Sequence, residues 1–510
     1  MNFGQVHYSA LFIAAYLVLL VLLAAQSRWG AVQSGQQEEE REKWRPGWRK
    51  AGLWLVLSAV PSGLMLSTTT YLTTDIMALP LLWVIPLGLY LLSFTVAFAE
   101  RRKGANLIKV IAPLAIFVSI FATFGLGPNS GMLAAASCLV MLFTGSVALH
   151  ARLYESRPDP RNLTGFYLVM SAGGALGGAF TALAAPLIFD WTWEHPILIF
   201  ALVVLLPMDG TRDLLARLAI RTVALRLALV LGGLVLLAMS SLKDRLFSAA
   251  EDQRLRSYFG VYSIRSSAEE VRILIHGTTT HGAQRGSSTE PTSYYGRSSG
   301  AGLALEKAPQ LFGERARVGV VGLGAGTLAC YRQPGQAWTF YEIDPAVVTY
   351  SESGTFTFLS ECAPDAPIII GDARLKLAEA PRESLEVLVV DAFSSDAIPI
   401  HLVTSDAVRV YRDVLTPGGL LLVHISNRHI DLAPVFSALV NEQGLAAAIR
   451  HDPGDPDKYL TQSAWIAISA DSDVLARLTD DGRWEELPEA KGRAWSDDFA
   501  SILPYINWGK

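Results

Sequence analysis

Hydrophobic residues fall in long unbroken runs up to about residue 242, and in short alternating or periodic groups beyond it. A membrane-crossing helix needs about 20 mostly apolar residues. Eight runs approach that length: 8–26, 53–73, 78–98, 108–124, 132–153, 165–189, 191–208 and 223–242. The seventh is short and is the weakest of them. The first is too long and uninterrupted for a signal-peptide core, and no small-residue cleavage site follows it, so it is expected to stay as a span. The sixth carries "SAGGALGGAF", small residues that let helices approach closely.

After Lys243 the pattern changes. The stretch "RSYFGVYSIRSSAEEVRILIHGTTTHG" alternates in the β manner and predicts a small hairpin layer, with strands near 260–266 and 271–276. The stretch "EPTSYYGRSSGAGLALEKAPQLF" predicts a loop and then a helix. From Arg317, strand-like runs alternate with helical or loop segments: "VGVVGL", "WTFYEID", "APIIIGD", "LEVLVVDAF" and "GGLLLVHIS", with late strands at "AAAIRH" and "AWIAIS". This order predicts a Rossmann-like α/β domain with a doubly wound, mainly parallel sheet that binds ligands at the strands' carboxyl ends. The expected units are a transmembrane helical domain over 1–242, a linker and small β-hairpin domain over 243–300, and the Rossmann-like domain over 301–510.

Composition fits this division. The 510 residues are 51% hydrophobic and 17% charged, an average of two unlike halves. The last 260 or so residues are enough to bury a core of their own. A net charge of -5 gives no reason to expect nucleic acid. Cys138, Cys330 and Cys362 show neither metal nor disulfide spacing, and no metal is expected.

Loop charges suggest an orientation. Arg28, Arg41, Lys43, Arg45, Arg49 and Lys50 lie between the first two runs, Arg101, Arg102 and Lys103 between the third and fourth, and Arg152, Arg157 and Arg161 between the fifth and sixth. The connections "DIM", "GPNSG" and "DWTWEH" have no Lys or Arg, so the odd-numbered connections are expected in the cytoplasm of a multi-pass inner-membrane protein. Followed through eight spans, the count puts the C-terminal domain outside. The ligand argued below is cytosolic, and Lys243, Arg245, Arg254 and Arg256 follow the last run, so a cytoplasmic domain is preferred, with the seventh run failing to cross. Within the second run, "LSTTTYLTTD" is unusually polar. Its hydroxyls either line a cavity for a polar or cationic molecule or bond back to helix carbonyls.

The candidate chemistry lies at the strand ends. "VVGLGAGTLACY" places Gly322, Gly324 and Gly326 in a turn after the first strand. Glu342 ends the next strand, 20 residues after Gly322, where a carboxylate accepts hydrogen bonds from ribose hydroxyls. Asp372 ends the third, to meet an adenine amino group or simply to cap the next helix. Asp391 ends the fourth. A cleft with three carboxylates and no nearby basic partner suits a sulfonium ligand of the S-adenosylmethionine type better than a pyrophosphate. Carbons beside a sulfonium are electrophilic, so the protein needs only to place a nucleophile and take its proton, a task for Asp391. The "SSDAIPIHLVT" loop is the expected lid.

At these residues the chain resembles the spermidine synthase (polyamine aminopropyltransferase) family, in its branch fused to a membrane domain. The motifs carrying the resemblance are "HGTTTHGAQ", "PTSYYG", "GLGAGTLACY", "YEIDP", "IIIGDAR", "DAFSSDAIPIHLVT", "LTPGGLLLVHISNRHIDL" and "AWSDDFASIL", with "TTDIMALPLLWVIPLGLYLLSF" in the membrane half. The resemblance implies Asp391, Tyr294 and Asp396 as catalytic residues. It implies Gln284, Tyr294 or Tyr295, the glycine turn, Glu342 with Ile343, and Asp372 with Ala373 as donor contacts. Decarboxylated S-adenosylmethionine, or S-adenosylmethionine itself, would be the donor and a polyamine-type amine the acceptor, with a lipid bilayer as partner and a homo-oligomer as one option. Two departures stand out. Ala325 occupies the place of the acid that holds the aminopropyl amine, and Tyr-Tyr-Gly replaces the Tyr-His-Glu run that helps bind the diamine. His281, Asp396 and His424 are candidate cleft-lining groups. Methyl transfer, donor cleavage releasing methylthioadenosine, and a transporter or sensor with a non-catalytic adenosyl domain stay as alternatives.

Overall fold

The structure, a computed structural model, describes residues 46–73, 82–125, 131–208, 211, 221–247, 254–266, 270–277, 279–392, 399–427 and 430–506. The run at 8–26, together with Thr74, Asp75 and Asp396, lies outside the described residues.

The apolar runs that are described form helices: α1 (Trp48–Tyr71), α2 (Val84–Phe98), α3 (Lys103–Gly125), α4 (Gly131–Glu155), α5 (Leu163–Ala179), α6 (Glu194–Leu205) and α7 (Thr222–Phe247). A π turn at Phe180–Ala184 and a last turn at Ala185–Ile188 prolong α5. Among the described residues, four helices are long and apolar enough to cross a membrane: Trp48–Tyr71, Lys103–Ala122, Met132–Glu155 and Pro160–Ile188. Val84–Phe98, Glu194–Leu205 and Thr222–Val235 are apolar but shorter, so of the seven predicted runs that fall on described residues, four reach crossing length. The bundle buries Trp54, Leu57, Leu64, Leu142, Phe166 and Leu202, yet presents Val118, Phe121, Leu168, Leu187 and Leu231 outward.

The small residues of α5 act as expected. Gly173 and Gly177 lie against the α1 backbone, and a Cβ on either would run into the carbonyl oxygen of Leu55 or Ala59. In the polar stretch of α1, three hydroxyls follow the self-contained alternative: Thr69, Thr70 and Thr73 donate to the carbonyls of Met65, Leu66 and Thr69 at 2.9, 3.2 and 2.9 Å.

The rest of the chain holds two sheets. β1 (Arg254–Arg256), β2 (Val261–Ser266), β3 (Val271–His276) and β4 (Thr279–Arg285) form an antiparallel sheet in sequence order. The larger sheet comprises β5 (Arg317–Val321), β6 (Ala337–Glu342), β7 (Ile368–Ile370), β8 (Leu385–Val390), β9 (Leu415–His424), β10 (Ala446–Asp452), β11 (Ser463–Ser469) and β12 (Glu485–Glu486). Its order is β12-β10-β11-β9-β8-β5-β6-β7, parallel from β9 to β7 and antiparallel beyond β9. Strands such as β8 are buried on both faces, which is why they are continuous apolar runs: Val387 and Val389 join one core with Phe340 and Trp465, Leu388 and Val390 another with Phe436 and Trp495. The chain reverses its winding at β5, between β8 and β6, and the crevice there opens at the strands' carboxyl ends.

The glycine turn leads into a single 3₁₀ stretch, Thr327–Tyr331. One detail corrects the sequence reading. The cysteines are not all unpaired: Cys330 on that stretch and Cys362 form a disulfide with Cα atoms 4.9 Å apart. Their separation of 32 residues carries no local signature, because only the tertiary fold brings them together.

The glycine contacts give a direct test. Gly177→Leu should push α5 off α1 and cost about 1–3 kcal/mol through overpacking, read as a lower melting temperature of the detergent-solubilised protein. An unchanged melting temperature would contradict this packing.

Candidate functional site

Four consecutive parallel strands deliver the candidate residues to one cavity. Gly322 and Gly324 follow β5, Glu342 ends β6, Asp372 follows β7, and Asp391 follows β8. All five line the cavity, together with Ile343, Ala373 and Tyr294. Gly322 has φ +92°, a conformation glycine adopts freely, and a Cβ there would strike the carbonyl oxygen of Asp391. The turn is therefore pressed onto the end of β8, which places the nucleoside-type loop and the acid side by side.

Asp391 is buried and each of its oxygens has a partner. Tyr295 donates its hydroxyl to Oδ2 at 2.5 Å, and His424 Nδ1 lies 2.7 Å from Oδ1. Burial and the charge of Asp391 push the Tyr295 hydroxyl well above its ordinary pKa, so it stays a donor. Its single hydrogen is committed to the carboxylate, which leaves it to accept from Tyr294, 3.0 Å away. The histidine tautomer follows from the same accounting. The Asp391 carboxylate only accepts, so the Nδ1 facing it carries a proton, and Nε2 lies 2.7 Å from Ser426 Oγ, which itself accepts from the Ala464 backbone N–H. The ring is stacked between Tyr294 and Trp465, which fixes its plane.

Glu342 is also buried; burial pushes its carboxyl up, and backbone N–H groups oppose the rise. Oε2 accepts from Leu323 N in the glycine turn and Oε1 from Asp344 N, both at 2.9 Å, leaving lone pairs for a further partner. Asp372 caps the helix Ala373–Glu379 through the Leu375 N–H at 3.1 Å. Its other oxygen lies 3.2 Å from His401 Nε2, and this contact above all holds the carboxyl down to about 2. His281 also lines the cavity; burial holds its ring neutral, with a pKa down to about 3, and its Nε2 has no hydrogen-bond partner among the described residues.

Not every expected residue reaches the cleft. Gln284 is buried elsewhere: Oε1 accepts from Thr357 N, and Nε2 donates to Thr357 Oγ1 and Ser288 O, so it ties β4 to a neighbouring loop. Gly326 takes the left-handed conformation before the 3₁₀ stretch and does not line the cavity. Ala325 is buried against β4, and a Cβ on Gly282 would come within 2.6 Å of the Ala325 methyl. The Ala325 methyl thus packs directly on β4 at Gly282.

Tyr262, His276 and His401 line the cavity and were not singled out from sequence. His401 lies within the expected lid stretch, so its position was a signal that could have been used. Tyr262 and His276 come from the small sheet, whose approach to the strand ends no local pattern announces. Ser426, which bonds His424 Nε2, was also missed, although it lies two residues after that histidine in the same motif.

No family model matches the chain, and no curated protein does. Among solved structures, it is similar to a probable spermidine synthase from Corynebacterium glutamicum, at 17% identity and a TM-score of 0.39, over 50% of this chain and 99% of that one. It is also similar to spermidine synthase from Thermotoga maritima, at 11% identity and a TM-score of 0.34, over 50% of this chain and 84% of that one. A third is a spermidine synthase in complex with the transition-state analogue AdoDATO, at 12% identity and a TM-score of 0.33, with the same coverage.

The packing around Ala325 yields a prediction. Ala325→Asp should not restore an amine-binding acid but bury an unpaired charge against β4, costing several kcal/mol by the usual penalty for unpaired buried charge. A folded, equally stable Ala325→Asp protein would contradict this placement, and thermal melting is the check.

Proposed function

We propose that this chain is a membrane-integral transferase that uses an adenosyl sulfonium donor of the S-adenosylmethionine type to alkylate an amine. Decarboxylated S-adenosylmethionine is favoured as donor and a polyamine-type amine as acceptor. The observation that carries the reading is Asp391: a buried carboxylate on the cavity wall, held by Tyr295 on one oxygen and His424 on the other.

In this reading Glu342 receives the ribose hydroxyls on its remaining lone pairs and Asp372 the adenine amino group, with Ile343 and Ala373 against the base. An amine acceptor arrives as an ammonium, and Asp391 holds it and takes its proton. The nitrogen lone pair then forms the new N–C bond while the C–S electron pair returns to sulfur, which leaves as a neutral thioether. The alkylated amine carries the positive charge away as an ammonium, and Asp391 returns the proton it took to solvent, which restores the carboxylate. Positioning and charge placement supply the rate, since the sulfonium is already activated. Tyr294 lies beside both Tyr295 and His424 and orients the pair. Three carboxylates on the described cavity wall favour a cationic ligand over a phosphate.

Ala325 favours a second reading. With alanine in place of the acid for the aminopropyl amine, the same cleft suits methyl transfer, or cleavage of the donor to methylthioadenosine. The non-catalytic sensor reading gives no role to the Tyr295–Asp391–His424 arrangement, which binding alone does not require.

Asp391→Asn keeps the shape of the side chain and removes its basicity. It should lower turnover on the order of 10²–10⁴-fold, the usual contribution of a general base, while adenosyl-ligand affinity measured by calorimetry stays near that of the native protein. Product formation at the native rate would remove Asp391 from the mechanism.

A further inference from the structure

The helices of the bundle have two distinguishable ends. At one, Trp54 Nε1 near the start of α1 donates to Ser156 after α4, Arg102 and Lys109 bond Glu155, and Arg152 donates to the Leu205 carbonyl at the end of α6. This end carries Arg49, Lys50, Arg101, Arg102, Lys103, Arg152, Arg157 and Arg161. At the other end, Ser67 and Tyr71 of α1 meet His195 at the start of α6. The short helix α6 therefore runs from one end of the bundle to the other, with Glu194 at one end and Leu205 at the other, instead of turning back.

The α/β part is fastened to the end lacking the basic cluster. Arg256 of β1 forms a buried ion pair with Glu194 at 2.7 Å and also donates to the Trp191 carbonyl. The Arg254 guanidinium lies 4.8 Å from the Trp191 ring centroid, and Tyr258 reaches the Leu183 carbonyl. Arg254 and Arg256 are thus used within this junction, and they no longer count as free basic residues marking a cytoplasmic side. An independent observation points the same way. The disulfide between Cys330 and Cys362 belongs to an oxidising compartment, whereas thiols in a bacterial-type cytosol are kept reduced.

We propose that the adenosyl-type cleft faces the extracytoplasmic side of the membrane, opposite the basic loops. Basic connections stay in the cytoplasm, the α/β part is tied to the other end, and its disulfide fits that side. This replaces the cytoplasmic placement preferred from sequence. It rests on the membrane-integral part of the reading above and not on its chemistry. Combined with that chemistry, it requires a transport step for an adenosyl sulfonium as the reaction that supplies the cleft.

The test labels single added cysteines in the full chain with a membrane-impermeant maleimide. Arg101→Cys and Ala476→Cys both replace exposed residues, one in the basic loop and one on the α/β part. In intact cells Ala476→Cys should label and Arg101→Cys should label only after lysis; the reverse pattern overturns the proposal. In the native chain, alkylation of freshly lysed cells should find Cys330 and Cys362 blocked until a reductant is added, and free thiols there would count equally against it. A parallel assay adds donor and amine to detergent-solubilised protein. Absence of product in that assay counts against the transferase reading alone, because labelling decides the side independently.

Discussion

A carboxylate withdrawn from water must be surrounded by hydrogen-bond donors, and the whole α/β part is arranged to meet that demand at Asp391. β8 carries the acid to the carboxyl edge of the sheet, and the glycine turn after β5 packs on its carbonyl. The loop before α8 (Gly300–Phe312) brings Tyr295 to one oxygen, and β9 brings His424 to the other. β11 reaches further still: the Ala464 N–H orients Ser426, which orients the histidine, and Trp465 stacks on its ring. Four strands and a loop thus converge on two carboxylate oxygens.

The same convergence separates the parts of the cleft. Glu342 and Asp372 are half-committed to the backbone, one bracing the glycine turn and one capping a helix, so both are pre-oriented while keeping acceptor capacity. Asp391 is held by side chains alone, and side-chain donors can shift as a proton moves. Structural rigidity lies with the Glu342–Asp372 side of the cavity, and adaptable hydrogen bonding lies with Asp391. In the proposed transfer, this division would keep the donor fixed in place and the proton acceptor free to respond.

Much of this was legible in the sequence because local pattern encodes it. Alternation and apolar runs gave β5 to β11, and glycine spacing gave a turn whose φ values glycine alone tolerates well. Carboxylates after successive strands gave the cavity wall. What local pattern could not encode was partnership across the chain. Gln284 looked like a ligand contact and is instead spent on Thr357 and Ser288. Cys330 and Cys362 looked unrelated until the fold joined them. Ala325 looked like a position facing a ligand, whereas its methyl packs on β4 at Gly282.

The central claim concerns what crosses from donor to acceptor, and mass spectrometry of the reaction products addresses it most directly. Purified full-length protein would be mixed with decarboxylated S-adenosylmethionine and with S-adenosylmethionine, each with a panel of amines. The account predicts methylthioadenosine and an amine heavier by one aminopropyl group from the decarboxylated donor. Both donors recovered intact, with every amine unchanged, would contradict it.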